Sequence, residues 1–344
     1  MATWSLLYYS AQAIFTIVLM AVGGIILAKC RILDGNSLQI LSKTIFYLLL
    51  PCMLFASFAQ SINMDKLKEL WILPVTGVIY ILGGIGLGII AVKALKIKSE
   101  FKSMVTASSG FANAMYLPIP LVASICSIFP EFNSNPEMKN IGMVFVSMFI
   151  IAFSPMMWTL GYNILGERPH NSIKFTDVVT PPAWGMIAGF AIANLPPLKM
   201  ALCDKDGFLH PLLTTCTGMG NAVVPCAMIV LGGSFALGPV ARRIDMKTVL
   251  AVIAVKLLIV PVLAILYIKI LVTYGLVPHG TLQDTLLALV MLIEAAVPPA
   301  TSLIVISSLQ KKNVEEMGSL LLWLYLVSLV TLTLFIVIGM RIFQ

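Results

Sequence analysis

The sequence predicts an all-α integral membrane protein of ten transmembrane helices. They form two inverted five-helix repeats, with broken helices 4 and 9 crossing at mid-membrane. Three observations predict this: a composition too apolar for water, ten apolar segments of bilayer length, and matched proline interruptions in the two halves. Of 344 residues, 59% are hydrophobic and 11% charged, and the mean hydropathy is +1.00. A soluble domain carries about a quarter charged residues, so a globule of this composition lacks the polar groups to cover itself in water.

A hydrocarbon core of about 30 Å needs roughly 20 helical residues. Segments of that kind run at 8–28, 38–62, 70–95, 102–128, 139–165, 178–197, 209–238, 247–273, 281–309 and 316–342. The sixth is the shortest. Its apolar part lies between Pro181-Pro182 and Pro196-Pro197, about 14 residues or roughly 21 Å of helix.

With ten spans, the odd-numbered loops hold Lys29, Arg31, Lys93, Lys96, Lys98, Lys102, Arg168, Lys174, Arg242, Arg243, Lys247, Lys311 and Lys312, or 13 of the 22 basic residues. The even-numbered loops and tails hold seven: Lys66, Lys68, Lys139, Lys199, Lys205, Lys269 and Arg341. Lys43 and Lys256 fall inside spans. Excess Lys and Arg mark the cytoplasmic side, which places the odd loops in the cytoplasm and both termini outside. Removing segment six scrambles that bias.

The net charge of +7 is thus read as topology, and no long basic run or aromatic platform suggests nucleic acid. Met1-Ala-Thr-Trp-Ser lacks the cationic start of a cleaved leader. The six scattered cysteines read as small apolar packers, with neither a disulfide framework nor a metal site expected.

An odd number of spans per half forces the halves, 1–168 and 169–344, into opposite orientations. Pro51-Cys52 and Ser57-Phe58-Ala59 in segment two answer Pro225-Cys226 and Ser234-Phe235-Ala236 in segment seven. Pro118 and Pro120 in segment four answer Pro298-Pro299 in segment nine. Proline removes a donor and clashes with the preceding turn, and lipid cannot satisfy the freed carbonyls, so such a break must face protein or a water-filled cavity.

Half-helices starting around Pro118–Pro120 and Pro298–Pro299 would present N-termini. Each carries about half a positive charge and free N–H groups, an anion site that requires no lysine. Ser108, Ser109, Asn113 and Tyr116 precede the first break, and Thr301 and Ser302 follow the second. The candidate substrate-binding residues are therefore Asn113, Tyr116, Pro118, Pro120, Pro298, Pro299, Thr301 and Ser302, with Asn113 donating to a carboxylate.

Glu294 is the one acidic residue deep inside a span, four residues before Pro298. A buried carboxylate is costly and marks function by default. Three roles fit it: binding a cation such as Na⁺, taking up and releasing a proton, or tying helices together as a neutral acid. Lys256, five residues before Pro261, has three as well: pairing with Glu294, attracting an anionic substrate, or snorkelling. Both are the candidate ion-coupling residues, with Na⁺ or H⁺ as the coupling ion and no other cofactor expected.

His170, His210 and His279 lie in loops, which argues against a histidine proton relay. The glycines from Gly83 to Gly88 suggest close helix packing. The absence of H-E-x-x-H, G-x-S-x-G and G-x-x-x-x-G-K-[ST] disfavours an enzyme or an ATP-driven pump. The expected function is secondary transport of a small organic anion; a passive anion channel or ligand sensor is the alternative.

At these residues the chain resembles the auxin efflux carrier family, the PIN-type carriers and their prokaryotic relatives. The shared pieces are Pro51-Cys-Met-Leu-Phe, Asn113 with Ile119-Pro120-Leu121, Leu231-Gly-Gly-Ser-Phe-Ala, and Ile293-Glu-Ala-Ala-Val-Pro-Pro-Ala. The resemblance implies a scaffold of spans 1, 2, 6 and 7 that forms a homodimer. Spans 3–5 and 8–10 would form a transport domain moving elevator-fashion in the cell membrane. It sets Asn113 on the substrate carboxylate and Pro120 and Pro298 on the crossover, and implies an auxin-like indole acid or a dicarboxylate such as malate or malonate as substrate. Ala112 and Pro118 depart from the plant N-P-N-x-Y pattern, and only about a dozen residues separate spans five and six, as in a prokaryotic-type member. The distantly similar bile acid–sodium symporters have a cation-binding glutamate where Glu294 stands.

Overall fold

In lipid every backbone N–H and C=O must find an internal partner, so apolar runs of this length close on themselves as helix. The computed structural model describes residues 3–61, 70–166, 181–237, 244–310 and 312–344. Their helices run α1 (Thr3–Lys29), α2 (Gly35–Thr44), α3 (Leu50–Ser61), α4 (Ile72–Ala94), α5 (Lys102–Gly110), α6 (Pro118–Ile128), α7 (Pro130–Asn133), α8 (Glu137–Met156) and α9 (Tyr162–Leu165). The second half continues with α10 (Pro181–Ala193), α11 (Pro196–Cys203), α12 (His210–Asn221), α13 (Val223–Leu237), α14 (Met246–Val252), α15 (Val260–Thr273), α16 (Leu282–Ala296), α17 (Ser302–Leu309) and α18 (Val314–Phe343). No strand occurs among the described residues. Lys66, Lys68, Arg168, His170, Lys174, Arg242, Arg243, Lys311 and the boundary between 168 and 169 lie outside them.

Each of the ten apolar segments carries helix, and among the described residues six form single runs long and apolar enough to cross a membrane: Trp4–Lys29, Gly35–Gln60, Ile72–Ala94, His210–Leu237, Met246–Thr273 and Val314–Phe343. Two of these contain wide π-helical turns, Ile45–Leu49 and Ile253–Ile259. Each lies just ahead of a proline, Pro51 and Pro261, whose ring is incompatible with the carbonyl four residues back. The turn widens there and the helix continues.

Segment six differs from the expected 178–197 span. Of it, α10 holds 13 residues, about 20 Å of helix, and the chain then bends by 105° into α11. The Pro196-Pro197 pair starts a new helix across the direction of the old one.

Small residues set the closest helix contacts. A Cβ on Gly24 or Gly232 would collide with backbone of the facing helix, at Ile229 and Ala21 respectively, so α1 and α13 touch backbone to backbone. In the same way Gly185 and Gly189 seat α10 on Pro51 and Phe55 of α3. In the Gly83–Gly88 cluster only Gly84 and Gly88 serve packing, against α5, while Gly83 and Gly86 face open space.

The ends of the bundle are tied together. The Tyr9 ring lies 5.6 Å from that of Phe129, and Gln344 Nε2 donates to Glu131 Oε1 at 3.3 Å. Both ends of the chain therefore lie beside the α6–α8 connection. At the opposite end Asn313 Nδ2 donates to the Glu100 carbonyl at 2.6 Å, joining the α17–α18 and α4–α5 connections.

Candidate functional site

Segments four and nine are both interrupted, and the interruptions pair with each other. After α5, Phe111 leaves helical geometry (φ −100°, ψ 101°). After α16, Val297 is extended (φ −64°, ψ 147°), as expected of a residue preceding proline. The two extended stretches meet antiparallel at Ala112 and Pro299. The Asn113 N–H donates to the Pro298 carbonyl at 2.8 Å, and the Ala300 N–H donates to the Phe111 carbonyl at 3.0 Å. Each break thus satisfies backbone groups that the other exposes, the requirement for irregular backbone inside a membrane protein.

Asn113, 3% exposed, sits at the centre of this knot. Its Oδ1 accepts the Tyr116 N–H at 3.0 Å, shaping the turn into α6. Its Nδ2 donates to the Tyr325 hydroxyl of α18 at 2.5 Å. One of the two Nδ2 hydrogens and the Oδ1 of Asn113 are thus engaged by the protein itself, which leaves one N–H of the amide. Tyr325, absent from the sequence-derived candidates, extends the tie, because its ring stands 5.0 Å from Phe235 of α13. Tyr325 shares α18 with the hydroxyls of Ser319, Ser328, Thr331 and Thr333, so nothing local singled it out.

The proline positions act differently from expectation. Pro118 begins α6, with Pro120 in its first turn, and both are buried. Neither has an N–H, while the N–H groups of Ile119 and Leu121 donate to the Met115 and Leu117 carbonyls. The start of α6 therefore carries a dipole but no free amide among its first four residues. Pro298 and Pro299 are not a helix start at all. They form the extended stretch of the break, because Val297 and Pro298 each precede a proline and are disfavoured from helix, and the helix resumes at Ser302. Thr301 and Ser302, half-buried, have amides that enter none of the bonds joining the breaks. Tyr116 is half-buried as well. Ser108 Oγ donates to the Met317 thioether at 3.6 Å, and Ser109 is buried against Gly88 of α4.

Glu294 and Lys256 are both buried, at 3% and 2% exposure. Lys256 does not snorkel. Its Nζ donates to the Ala295 carbonyl at 3.0 Å, and Glu294 Oε1 has no hydrogen-bond partner.

A cavity of about 660 Å³ opens beside α6, within the range of small-molecule sites. Gln12 and Thr16 of α1, Ser57 and Gln60 of α3, and Thr217 and Asn221 of α12 line one wall; Ser124 and Ser127 of α6 with Lys139 and Asn140 of α8 line the other. Lys139 is the one charged residue in the lining, and no lining residue is acidic. None of the eight sequence-derived substrate residues borders it. The nearest approach along the chain is Ala123, three residues or about 4.5 Å beyond Pro120. Sequence reading missed this lining because each glutamine, asparagine or serine is unremarkable in its own helix, and only the packing of α1, α3, α6, α8 and α12 converges them. Among the described residues no group of three His, Cys, Asp or Glu side chains is placed to hold a metal ion.

The chain matches the profile of a family described as membrane transport protein over residues 9–176 and 170–336. Among its relatives, protein PIN-LIKES 5 of Arabidopsis thaliana is 22% identical over 97% of this chain and 97% of its own length. PIN-LIKES 7 of the same plant is 22% identical over 95% of this chain and 96% of its own length. An uncharacterized transporter of Saccharomyces cerevisiae is 22% identical over 97% of this chain and 95% of its own length. A profile match over nearly the whole chain, and relatives that align with it end to end, make this protein a PIN-type member of the membrane transport protein family.

Proposed function

We propose that this protein is a secondary transporter that moves a small organic carboxylate, an auxin-like indole acid or a dicarboxylate such as malate or malonate, by elevator-type alternating access. The observation that carries the reading is the cavity, whose lining holds one cation, Lys139, and no acid. A positive site lined by amides and hydroxyls selects for an anion with several oxygen acceptors. The substrate enters there and reaches the Thr301–Ser302 end of the paired breaks when the two walls slide.

This cycle takes the chain as a ten-span inverted repeat. Under it, span one corresponds to span six and span two to span seven, so the α1–α13 contact and the α3–α10 contact are the same contact in the two halves. Both are glycine-mediated backbone contacts. The even number of crossings accords with both chain ends lying beside the α6–α8 connection. Scaffold spans 1, 2, 6 and 7 then include the α1, α3 and α12 wall, and the transport domain, spans 3–5 and 8–10, includes the α6 and α8 wall. With the basic loops in the cytoplasm, the cavity opens outward in the cell membrane, and the protein works as a homodimer through its scaffold.

Uptake of labelled malate, malonate and indole acetate into proteoliposomes tests the reading. Saturable flux, accelerated by the same acid inside, is the expected result. Ohmic anion conductance in a planar bilayer identifies a channel instead, and binding without flux identifies a sensor.

A further inference from the structure

We infer that the Lys256 side chain is a built-in counter-cation: its ammonium fills the electronegative end of α16 beside Glu294, so the paired breaks keep their geometry without sodium or any other added cation. The last carbonyls of a helix lack intrahelical partners, and that end carries about half a negative charge. At α16 the chain does not curl back to satisfy them all. Val297 returns its N–H to Ile293, but the next amide beyond the prolines, at Ala300, goes across to Phe111.

The Ala295 carbonyl receives Lys256 Nζ instead, at 3.0 Å. One residue earlier Glu294 adds a buried carboxylate with an oxygen that no protein group satisfies. Two negative contributions in a low-dielectric interior are relieved by a positive one nearby. An alkali cation would supply it by taking these oxygens as ligands. Lys256 supplies it covalently, and its Nζ occupies the direction from which a free ion would reach the Ala295 carbonyl.

The lysine is aimed there by its own helix. Pro261 is incompatible with a regular turn at the Leu257 carbonyl, the turn widens over Ile253–Ile259, and Lys256 lies inside that widened turn. Among the described residues, the other titratable groups at this place are Tyr80 of α4, whose buried hydroxyl has no hydrogen-bond partner, and Tyr267 of α15, whose hydroxyl lies 3.2 Å from Thr76 Oγ1. Neither brings a positive charge, so among the described residues Lys256 is the cation that faces Glu294.

The test is thermal unfolding of the purified full-length protein in detergent, in sodium chloride or choline chloride. Wild type should unfold at the same temperature in both salts. Lys256→Met should unfold lower, with sodium or methylammonium recovering part of the loss, and Lys256→Arg should behave as wild type. A sodium-dependent upward shift in wild type overturns the inference, as does wild-type behaviour of Lys256→Gln, which keeps a donor but no charge. Should Lys256→Met not fold, Lys256→Gln with Glu294→Gln answers the same question. The double variant should be more stable than Lys256→Gln alone, and equal or lower stability overturns the charge pairing. Carboxylate flux equal in sodium and choline is the second expectation, and it rests on the proposed transport. Absence of flux refutes that reading, whereas the unfolding comparison refutes this one.

Discussion

Replacing Tyr325 by phenylalanine and Asn113 by alanine, singly and together, isolates the contact that ties the paired breaks to α18. Tyr325→Phe removes one hydroxyl and keeps the ring against Phe235 at 5.0 Å, so it deletes the Asn113 bond with little change in packing. In a water-soluble core, leaving a buried partner unsatisfied costs about 1–3 kcal/mol. Interhelical bonds in membranes average about 0.6 kcal/mol and reach about 1.7, because the membrane-embedded reference state also finds partners. The lower scale applies here, giving about 0.6–1.7 kcal/mol for Tyr325→Phe. Asn113→Ala removes two side-chain bonds, to Tyr325 and from the Tyr116 N–H, and should cost about twice that, ~1–3 kcal/mol. The interaction energy of the double-mutant cycle should be at least about 0.6 kcal/mol. Reversible unfolding in mixed micelles, followed by tryptophan fluorescence, measures all four proteins. Strict additivity would refute the reasoning: Asn113 would then not be held by Tyr325, and its amide would be free for a substrate carboxylate.

Three further expectations follow from the geometry. Lys139→Gln removes the cation of the cavity lining, and should raise the half-saturation concentration for a carboxylate about tenfold, or ~1.4 kcal/mol, with little change in thermal stability. An unchanged half-saturation would separate the cavity from the substrate. Gly232→Ala places a Cβ on the Ala21 backbone and should destabilise by about 1–3 kcal/mol through overpacking; an unfolding midpoint equal to wild type would contradict the α1–α13 contact. At the start of α2 the Ser37 N–H and hydroxyl both donate to Asp34 Oδ1 at 2.7 Å, holding this carboxyl below its ordinary range. A carboxyl depressed in the folded state stabilises above its unfolded value of about 3.9, and the contribution is lost as pH falls through the folded value. Asp34→Asn should therefore weaken the acid dependence of unfolding below about pH 4, and equal acid profiles for variant and wild type would exclude the effect.

Much of the architecture was legible in the chain because lipid enforces a local rule. Apolar runs must close their hydrogen bonds internally, so helices lie where hydropathy puts them, and prolines mark where they fail. Even here local reading had an edge. It located the second break at Pro298-Pro299 but started the following helix there, whereas two successive pre-proline restrictions hold it off until Ser302. It likewise foresaw free amides at the start of α6, but that start is made of prolines and of amides already committed to Met115 and Leu117.

What the chain alone determined, then, is solvent, helix and interruption, since each depends on residues within a turn or two of one another. Tertiary structure decided which polar groups remain available. Asn113 is tied to a tyrosine 212 residues away, Lys256 turns to the Ala295 carbonyl 39 residues on, and the cavity wall is gathered from six helices. Those outcomes depend on distances between remote helices, which are set by how closely their glycines let backbones approach, and no local pattern encodes such distances.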